Sequence, residues 1–356
     1  MVWSVQSGSG LESPSQRALC SSNSNNTVIF FLTGATGFLG SNIARILLSK
    51  GHRVRAIRRA TSRLDLISDC AEQIDWFEGD VLDPASLEEG MTGADGVMHA
   101  AAFLGFEGKR SHDQLMAVNV DGTANVVDAA LSAGVGRLLH VSSIAALGRT
   151  GRESDCLDES AQWKESPMNT GYALSKHRAE MEVHRAIAMG LDAVMVNPSL
   201  IMGAGRPSEN TMQIADQLAK GRIPFLPKGG TNVVDVRDVA AGCLLAFERG
   251  RASERYILAG HNLLWRDILS MIAEGLDARP PRRTVPQPVM MAGATMMEWG
   301  AALIGKKSVL TRENVRLSMA ISCYDNARSV TELGCTYRPF EDTAEWIAAA
   351  YLKSLQ

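Results

Sequence analysis

The chain has 356 residues, with 36 Lys and Arg against 39 Asp and Glu and a formal net charge of −3. A charge so close to balance gives no electrostatic footprint for nucleic acid or for an anionic membrane, so a small-molecule partner is expected. The length suits one enlarged α/β unit or two closely joined lobes, and one active site is the simplest expectation.

From Thr27 onward, short apolar runs alternate with helical patterns, which is typical of βαβ units that build a parallel sheet. Six strands are predicted in chain order, at Val28–Leu32, Val54–Ile57, Ile74–Glu78, Gly96–Ala101, Arg137–Ser142 and Ala193–Val196. The helices predicted between them are Ser41–Ser49, Asp113–Ala133 and Gly171–Met189. After Pro198 the alternation decays into Gly- and Pro-rich loops, with helices near Gln213–Lys220, Val236–Phe247, Arg266–Ala273, Pro288–Ile304 and Phe340–Tyr351.

Neither a secretory signal nor a membrane-spanning helix is expected. Residues 1–26 are rich in Ser, Asn and Gly and lack the basic start and apolar run of a signal, which indicates a disordered tail or a segment foreign to the natural chain. The longest apolar stretch, Val289 to Ile304, is interrupted by Glu298 and is short of the roughly 20 residues needed to span a bilayer. We therefore expect a cytoplasmic protein with no membrane partner.

The cysteines and histidines show no spacing typical of metal ligands, so no metal site is expected. No two cysteines have the separation used by metal or redox motifs, and we interpret them as reduced thiols of a cytosolic protein. The six are Cys20, Cys70, Cys156, Cys243, Cys323 and Cys335.

A glycine-rich turn lies between the first strand and the first helix. Gly34 would allow the tight turn, Gly37 the close approach of the backbone to a pyrophosphate, and Gly40 the contact between helix and sheet. The helix N-terminus adds free N–H groups and a positive dipole for phosphates. A strand-to-helix turn without a ligand is the alternative. The residues expected to contact a dinucleotide here are Gly34, Thr36, Gly37, Phe38, Leu39 and Gly40.

Later strand ends carry further dinucleotide-type features. Asp80 follows the third strand, where its carboxylate can accept from an adenine amino group while the Val81 backbone lies along the ring. The small side chains of Ala100, Ala101 and Ala102 follow the fourth strand and leave room for the ligand. Each could be a plain strand end, but open α/β sheets bind ligands at successive strand ends.

These features predict an α/β protein with a Rossmann-type doubly wound parallel sheet and a smaller, mainly helical C-terminal substrate lobe. The dinucleotide-binding domain is expected to span residues 27–198. The substrate lobe is expected to span residues 199–356, with segments that return to the Rossmann core.

A tyrosine and a lysine share one face of the predicted helix that begins at Gly171. Tyr172 and Lys176 are four residues apart, so the ammonium would lower the tyrosine pKa towards the range that proton transfer needs. Such a pair alone is more often ordinary surface chemistry. Ser143, at the end of the fifth strand, adds a hydroxyl that can hold a substrate oxygen beside the tyrosine.

Together these residues resemble the extended short-chain dehydrogenase/reductase family, over the chain from about Val28 to Tyr351. The resemblance implies a catalytic group of Ser143, Tyr172 and Lys176, with Ser142 as the alternative serine. It also implies that Asn119 positions the lysine through water. The nicotinamide cofactor would then also contact Ser142, Tyr172, Lys176 and Pro198.

Two positions distinguish the branches of that family. Leu200 stands where members that act on nucleotide-linked sugars carry an asparagine, and Thr231 stands where they hold the diphosphate with an arginine. The sequence is more similar to the dihydroflavonol-reductase branch. Met290, Met291, Met296, Met297 and Trp299 could line an apolar pocket, although Met at helical spacing is more often plain core.

The resemblance implies an oxidoreductase that reduces a ketone or aldehyde of a small, mostly apolar molecule, with hydride from the nicotinamide and a proton from Tyr172. The second hypothesis is a nucleotide-sugar epimerase or dehydratase with transient oxidation by bound NAD(P). The third, ranked lowest, is a non-catalytic dinucleotide-sensing scaffold, which would have no need of all three catalytic groups.

The end of the second strand bears on the choice of cofactor. An NAD site normally places a carboxylate near there to bind the ribose 2′-hydroxyl, whereas this chain has Arg58 and Arg59, which suit a 2′-phosphate. NADP(H) is therefore expected over NAD(H), with solvated surface charge as the alternative. The resemblance also implies a homodimer in which helices Asp113–Ala133 and Gly171–Met189 pair with their copies.

Overall fold

The computed structural model describes residues 27–105, 109–148, 156–166, 169–207, 209–223, 225–303 and 311–355. The tail expected at residues 1–26 lies outside them. The main sheet has seven parallel strands in the order β3-β2-β1-β4-β5-β6-β9, as the Rossmann prediction requires. Its strands are β1 Ile29–Thr33, β2 Arg53–Arg58, β3 Ile74–Glu78, β4 Gly96–His99, β5 Arg137–Val141, β6 Ala193–Pro198 and β9 Arg255–Leu258.

Helices cover both faces of this sheet. They are needed because successive side chains of β1 point to opposite faces and are apolar on both. Phe30 and Leu32 point into one apolar layer, and Phe31 between them points into the other. The doubly wound prediction is therefore confirmed. The helices are α1 Phe38–Ser49, α2 Pro84–Met91, α3 Lys109–Met116, α4 Gly122–Ser132, α5 Gly171–Ala188, α6 Asn210–Ala219, α7 Val236–Arg249, α8 Trp265–Gly275, α9 Gln287–Leu303, α10 Arg312–Met319 and α11 Phe340–Ser354.

The long helix predicted over Asp113–Ala133 consists of three consecutive segments. Helix α3 runs into a π-helical turn at Ala117–Asp121, and α4 continues from it. Such turns insert one residue per turn and often lie at functional sites. Asn119 occupies the centre of this turn and is buried.

The C-terminal part contains strands that the sequence pattern did not reveal. Strand β9 joins the main sheet beside β6, and a second sheet has the order β10-β8-β7. Its strands are β7 Leu200–Met202, β8 Gly230–Asp235 and β10 His261–Leu264. A third apolar cluster joins this sheet to α6, α8 and α11. The lobe is mainly helical, as predicted, but the expectation of loops and helices alone was incomplete.

Cys156 and Cys323 form a disulfide, so the interpretation of all six cysteines as reduced thiols is wrong for this pair. Cys70, Cys243 and Cys335 are free and buried. Backbone hydrogen bonds flank the bridge, from Leu157 N to Cys323 O at 3.0 Å and from Asp325 N to Leu157 O at 2.9 Å. The argument for a cytosolic protein from reduced thiols therefore no longer holds.

Helix α9 carries the methionines proposed to line an apolar pocket. Met290 packs with Ala294 and Val315 of α10 in a small cluster. Met296 and Trp299, by contrast, are 76% and 72% exposed, so they line no buried pocket. No helix in the described ranges combines the length and apolar character needed to cross a bilayer.

Candidate active site

The glycine turn connects β1 to α1 and packs against the end of β4. Gly34 has a φ of +78°, and a Cβ there would lie 2.6 Å from the Ala101 nitrogen, so only glycine fits. A Cβ at Gly40 would overlap the Gly34 carbonyl oxygen. Helix α1 begins at Phe38 without a side-chain cap or an acidic residue in its first turn. Its first-turn amides are therefore suited to an anion such as a pyrophosphate.

Two buried hydrogen bonds hold the end of β4 beside this turn. The Thr33 hydroxyl lies 2.7 Å from His99 Nδ1 and accepts from the Ala101 amide at 3.1 Å. His99 Nε2 lies 3.0 Å from the Thr123 hydroxyl. The structure thus brings the small residues Ala100 and Ala101 against the glycine turn, as a dinucleotide crossing the sheet edge would require.

Asp80 and Val81 lie on the next strand end. The Asp80 carboxylate accepts from Leu82 N at 3.0 Å, and the Val81 carbonyl accepts from the Asn125 amide at 3.0 Å. Val81 itself is buried against Gly122. This fixed, partly exposed carboxylate is available to an adenine amino group.

Arg58 and Arg59 lie at the end of β2, as predicted. The Arg58 guanidinium lies 5.5 Å from the centroid of the Trp76 ring, whereas Arg59 is exposed. Within the described ranges, neither forms an ion pair with a carboxylate. Both charges are therefore available to a ligand phosphate.

Arg206 lies near the glycine turn, and no sequence pattern pointed to it. It donates to the Thr36 carbonyl at 3.1 Å and to Asp65 at 2.8 Å. Hydrogen bonding from Arg206 lowers the pKa of Asp65 to about 2. Arg206 and Asp65 are 141 residues apart in the sequence, so no local pattern could indicate their contact.

Ser143 and Tyr172 meet across the ends of β5 and α5. Ser143 caps a short 3-10 turn, Ile144–Leu147, where its hydroxyl oxygen accepts from Ala145 N at 3.2 Å. Thr170 caps α5 through Ala173 N and so fixes the first turn that carries Tyr172. The Ser143 side chain lies close enough to Tyr172 to lower the pKa of the phenol. Ser142, the alternative serine, has its hydroxyl buried without a partner in the described chain.

The pKa of Tyr172 shifts in the direction opposite to the one expected. Burial raises it to about 12, although the hydrogen bond with Ser143 opposes this shift. Tyr172 is therefore a neutral phenol at physiological pH. The interpretation from spacing alone was wrong because burial disfavours the charged phenolate, and this is the largest influence on the group.

Lys176 lies one helical turn after Tyr172 and is only 3% exposed. Its ammonium donates to the Val141 carbonyl at 2.8 Å. Burial lowers its pKa to about 8, and the negative charge of Glu180 opposes that shift. The group therefore remains mostly protonated at neutral pH.

Asn119 is hydrogen-bonded to Ser175, the residue that precedes Lys176 on α5. Its amide nitrogen donates to the Ser175 hydroxyl at 2.9 Å and to Phe103 O at 2.9 Å, and its oxygen accepts from Phe103 N at 2.7 Å. Ser175 in turn donates to the Tyr172 carbonyl at 2.8 Å. Asn119 thus ties the π-helical turn to the start of α5.

Two buried histidines that the sequence analysis did not use lie beneath Lys176. The rings of His99 and His140 are 5.2 Å apart. Burial, with a smaller effect from Lys176, lowers the pKa of His99 to about 3 and lowers that of His140 as well. Both are neutral at physiological pH, so the lysine carries the positive charge of this layer.

Comparisons with known proteins identify the family of the chain. The model of the NAD-dependent epimerase/dehydratase family matches residues 30–259. A Synechocystis sp. protein that carries a dihydroflavonol 4-reductase name is 36% identical over 311 residues, which cover 86% of this chain and 89% of that protein. Cinnamoyl-CoA reductase 1 of Oryza sativa subsp. japonica is 32% identical over 267 residues, covering 71% and 77%.

The crystal structure of gox2253 has the same fold, with a TM-score of 0.79 and 34% identity. It covers 92% of this chain and 99% of its own. The chain thus belongs to the NAD-dependent epimerase/dehydratase family and is an NAD(P)-dependent enzyme of the extended short-chain dehydrogenase/reductase type.

Proposed function

We propose that the protein is an NADP(H)-dependent reductase that converts a ketone or aldehyde of a small, mostly apolar molecule into the alcohol. The observation that carries this proposal is the convergence of Ser143, Tyr172 and Lys176 at the strand ends that also hold the glycine turn. The names of the Synechocystis and rice relatives, both reductases, support it.

Each side chain has a distinct part in the proposed reduction. The bound nicotinamide supplies the hydride to the carbonyl carbon. The Ser143 hydroxyl donates to the carbonyl oxygen and orients it towards Tyr172. The Tyr172 hydroxyl transfers its proton to that oxygen, which becomes the alcohol, and its high pKa keeps it protonated beforehand. The Lys176 ammonium stabilises the resulting tyrosinate until solvent returns the proton.

The substrate class rests on two substitutions at the substrate lobe. Leu200 on β7 is 37% exposed and offers an apolar surface where nucleotide-sugar enzymes place an amide. Thr231 on β8 carries no charge for a diphosphate. These residues favour an apolar carbonyl compound over a nucleotide sugar.

The test is turnover of aromatic and aliphatic ketones and aldehydes, measured as NADPH oxidation in wild type and Tyr172→Phe. The variant keeps the ring but loses the transferable proton, so turnover falls at least 100-fold while NADPH still binds. Tyr351→Phe is the matched control, because its hydroxyl bonds Asp216 in the substrate lobe. Its turnover stays within about twofold, since only one distant hydrogen bond is lost.

Three outcomes would overturn the proposal. Near-normal turnover by Tyr172→Phe would show that another group donates the proton. Conversion of a nucleotide sugar without added cofactor would favour an epimerase or dehydratase. Tight NADPH binding without turnover of any carbonyl or alcohol would favour a sensing scaffold.

A further inference from the structure

A buried chain of hydrogen bonds leads from the catalytic serine into the core. Asn197, on β6 and fully buried, donates from its amide nitrogen to the Ser143 carbonyl at 2.9 Å and to Glu180 Oε1 at 2.7 Å. Both partners are acceptors, so the amide nitrogen must face them. Glu180 lies one helical turn after Lys176 on α5.

Glu180 is 1% exposed, and a carboxylate in such a place is stable only when charge and hydrogen bonds compensate it. Asn197 supplies one hydrogen bond. Arg255 of β9 supplies the nearest guanidinium, with Nη1 3.5 Å from Glu180 Oε2. Lys176 supplies the second positive charge, one turn back on the same helix. The negative charge of Glu180 in turn acts on Lys176 and favours its protonated form.

We propose that Glu180 and Asn197 are positioning residues of the catalytic site. Asn197 holds the backbone of Ser143 so that its hydroxyl meets Tyr172. Glu180 anchors Asn197 and provides the countercharge that keeps the buried ammonium of Lys176 protonated. This inference rests on the proposed function for the measurement of turnover. The measurement of cofactor affinity does not need the proposed reaction, because the charge of Lys176 also affects how tightly the cofactor binds.

The other titratable groups around this pair limit what a pH profile can report. Lys176 acts on His99 of β4 and on His140 of β5, and it lies one helical turn from Tyr172. Glu180 faces Arg255 and His177. Burial lowers the pKa of all three histidines, so they stay neutral above neutral pH. Burial raises the pKa of Tyr172, which therefore stays protonated. Between pH 7 and 10, Lys176 is accordingly the member of this group that changes charge.

Two variants separate the charge of Glu180 from the hydrogen bonds of Asn197. Glu180→Gln keeps an oxygen that accepts from Asn197 but removes the negative charge. Asn197→Ala keeps the charge but leaves the Ser143 carbonyl without its donor. Glu182→Gln is the control on the same helix, because Glu182 forms an ion pair with Arg185 at the surface. Circular dichroism and thermal melting confirm that each variant is folded.

The first measurement is NADPH affinity from pH 6.5 to 10, read by nucleotide fluorescence, which needs no substrate. Deprotonation of Lys176 weakens the charge-assisted contact to the cofactor, so wild-type affinity falls above a midpoint. Glu180→Gln moves that midpoint down by about one unit, because the opposite charge is lost. The control leaves it in place. An unshifted midpoint in Glu180→Gln, or a wild-type profile that is flat over this range, would overturn the role of Glu180.

The second measurement is kcat on the best carbonyl substrate. Asn197→Ala lowers kcat roughly tenfold with an unshifted midpoint and unchanged NADPH affinity, because Ser143 is misplaced while Lys176 keeps its charge. Asn197→Ser, which retains one donor, restores part of the loss and serves if the alanine variant does not fold. Unchanged kcat in both would overturn the role of Asn197. If wild type reduces no carbonyl, the proposed function fails, and the fluorescence profile alone decides the inference.

Discussion

Lys176 donates a hydrogen bond of 2.8 Å to the carbonyl oxygen of Val141, so its ammonium is fixed to the end of β5. The bond joins the helix that carries Tyr172 to the strand that leads directly to Ser143. This buried cation therefore helps to set the position of Tyr172 relative to Ser143.

This buried cation makes stability depend on pH. Burial lowers the pKa of Lys176 from 10.5 to about 8, so between these values the unfolded chain binds more protons than the folded one. The free energy of unfolding therefore rises with pH in this window, by up to about 3 kcal/mol. We expect the free energy of unfolding of the wild type, relative to that of Lys176→Met, to increase by most of this amount between pH 7.5 and 10. Urea unfolding at a series of pH values measures it.

The control is Lys220→Met, because Lys220 is half exposed and pairs with Asp216. Its difference from wild type stays flat over the same range. A difference between wild type and Lys176→Met that did not change with pH would contradict the prediction.

The cofactor preference can be tested at the end of β2. Losing Arg58 or Arg59 removes a charge-assisted hydrogen bond worth about 1.5–3 kcal/mol, so NADPH affinity falls roughly 10- to 100-fold. NADH affinity is unchanged, because NADH has no 2′-phosphate. Binding of both nucleotides to Arg58→Ala and Arg59→Ala measures this, with Arg63→Ala, whose partner is Asp65, as the control. Equal losses for NADH and NADPH would count against an NADP site.

The Cys156–Cys323 disulfide spans 167 residues, a separation for which the chain-entropy description gives a stabilisation of about 5 kcal/mol. We expect Cys156→Ser to unfold at a correspondingly lower urea concentration than oxidised wild type. A reducing agent brings the wild type to the level of the variant and leaves the variant unchanged. Intact-mass measurement of alkylated, unreduced protein checks the bond directly, and alkylation of both residues would refute it.

The proposed dimer can be tested on α5, where Met181 is 45% exposed. Arg185 of α5 bonds Asp128 of α4, so the two helices form one surface that can pair with its copy. We expect a dimer by light scattering at micromolar concentration and a monomer for Met181→Glu. Met296→Glu, on the exposed face of α9, leaves the mass unchanged. A monomeric wild type would disprove the arrangement.

The parts of the site that could be predicted depend on local sequence. The turn at Gly34 and the four-residue spacing of Tyr172 and Lys176 are each contained in a few residues. The main sheet was predictable up to β6 because its strands alternate regularly with helices. Strand β9 and the second sheet were missed because short strands among helices leave no clear period.

What could not be predicted depends on burial and on contacts between distant segments. Lys176 and Glu180 are four residues apart, which places them on one face of the predicted helix. Their partner Asn197 lies on β6, so its contact with Glu180 can be recognised only in the folded structure. The direction of the Tyr172 pKa depends on desolvation, which no spacing reveals. The Arg206 contact to the glycine turn likewise appears only once the lobes are assembled.

The bridge between Cys156 and Cys323 makes the chain between them a covalent ring. Tyr172 and Lys176 lie within this ring, whereas Ser143 and the glycine turn precede it on the linear part of the chain. A single protease cut between the two cysteines would open the ring without releasing a fragment. The two pieces of the nicked protein would stay covalently joined by the bridge. They would separate only after thiols reduced it.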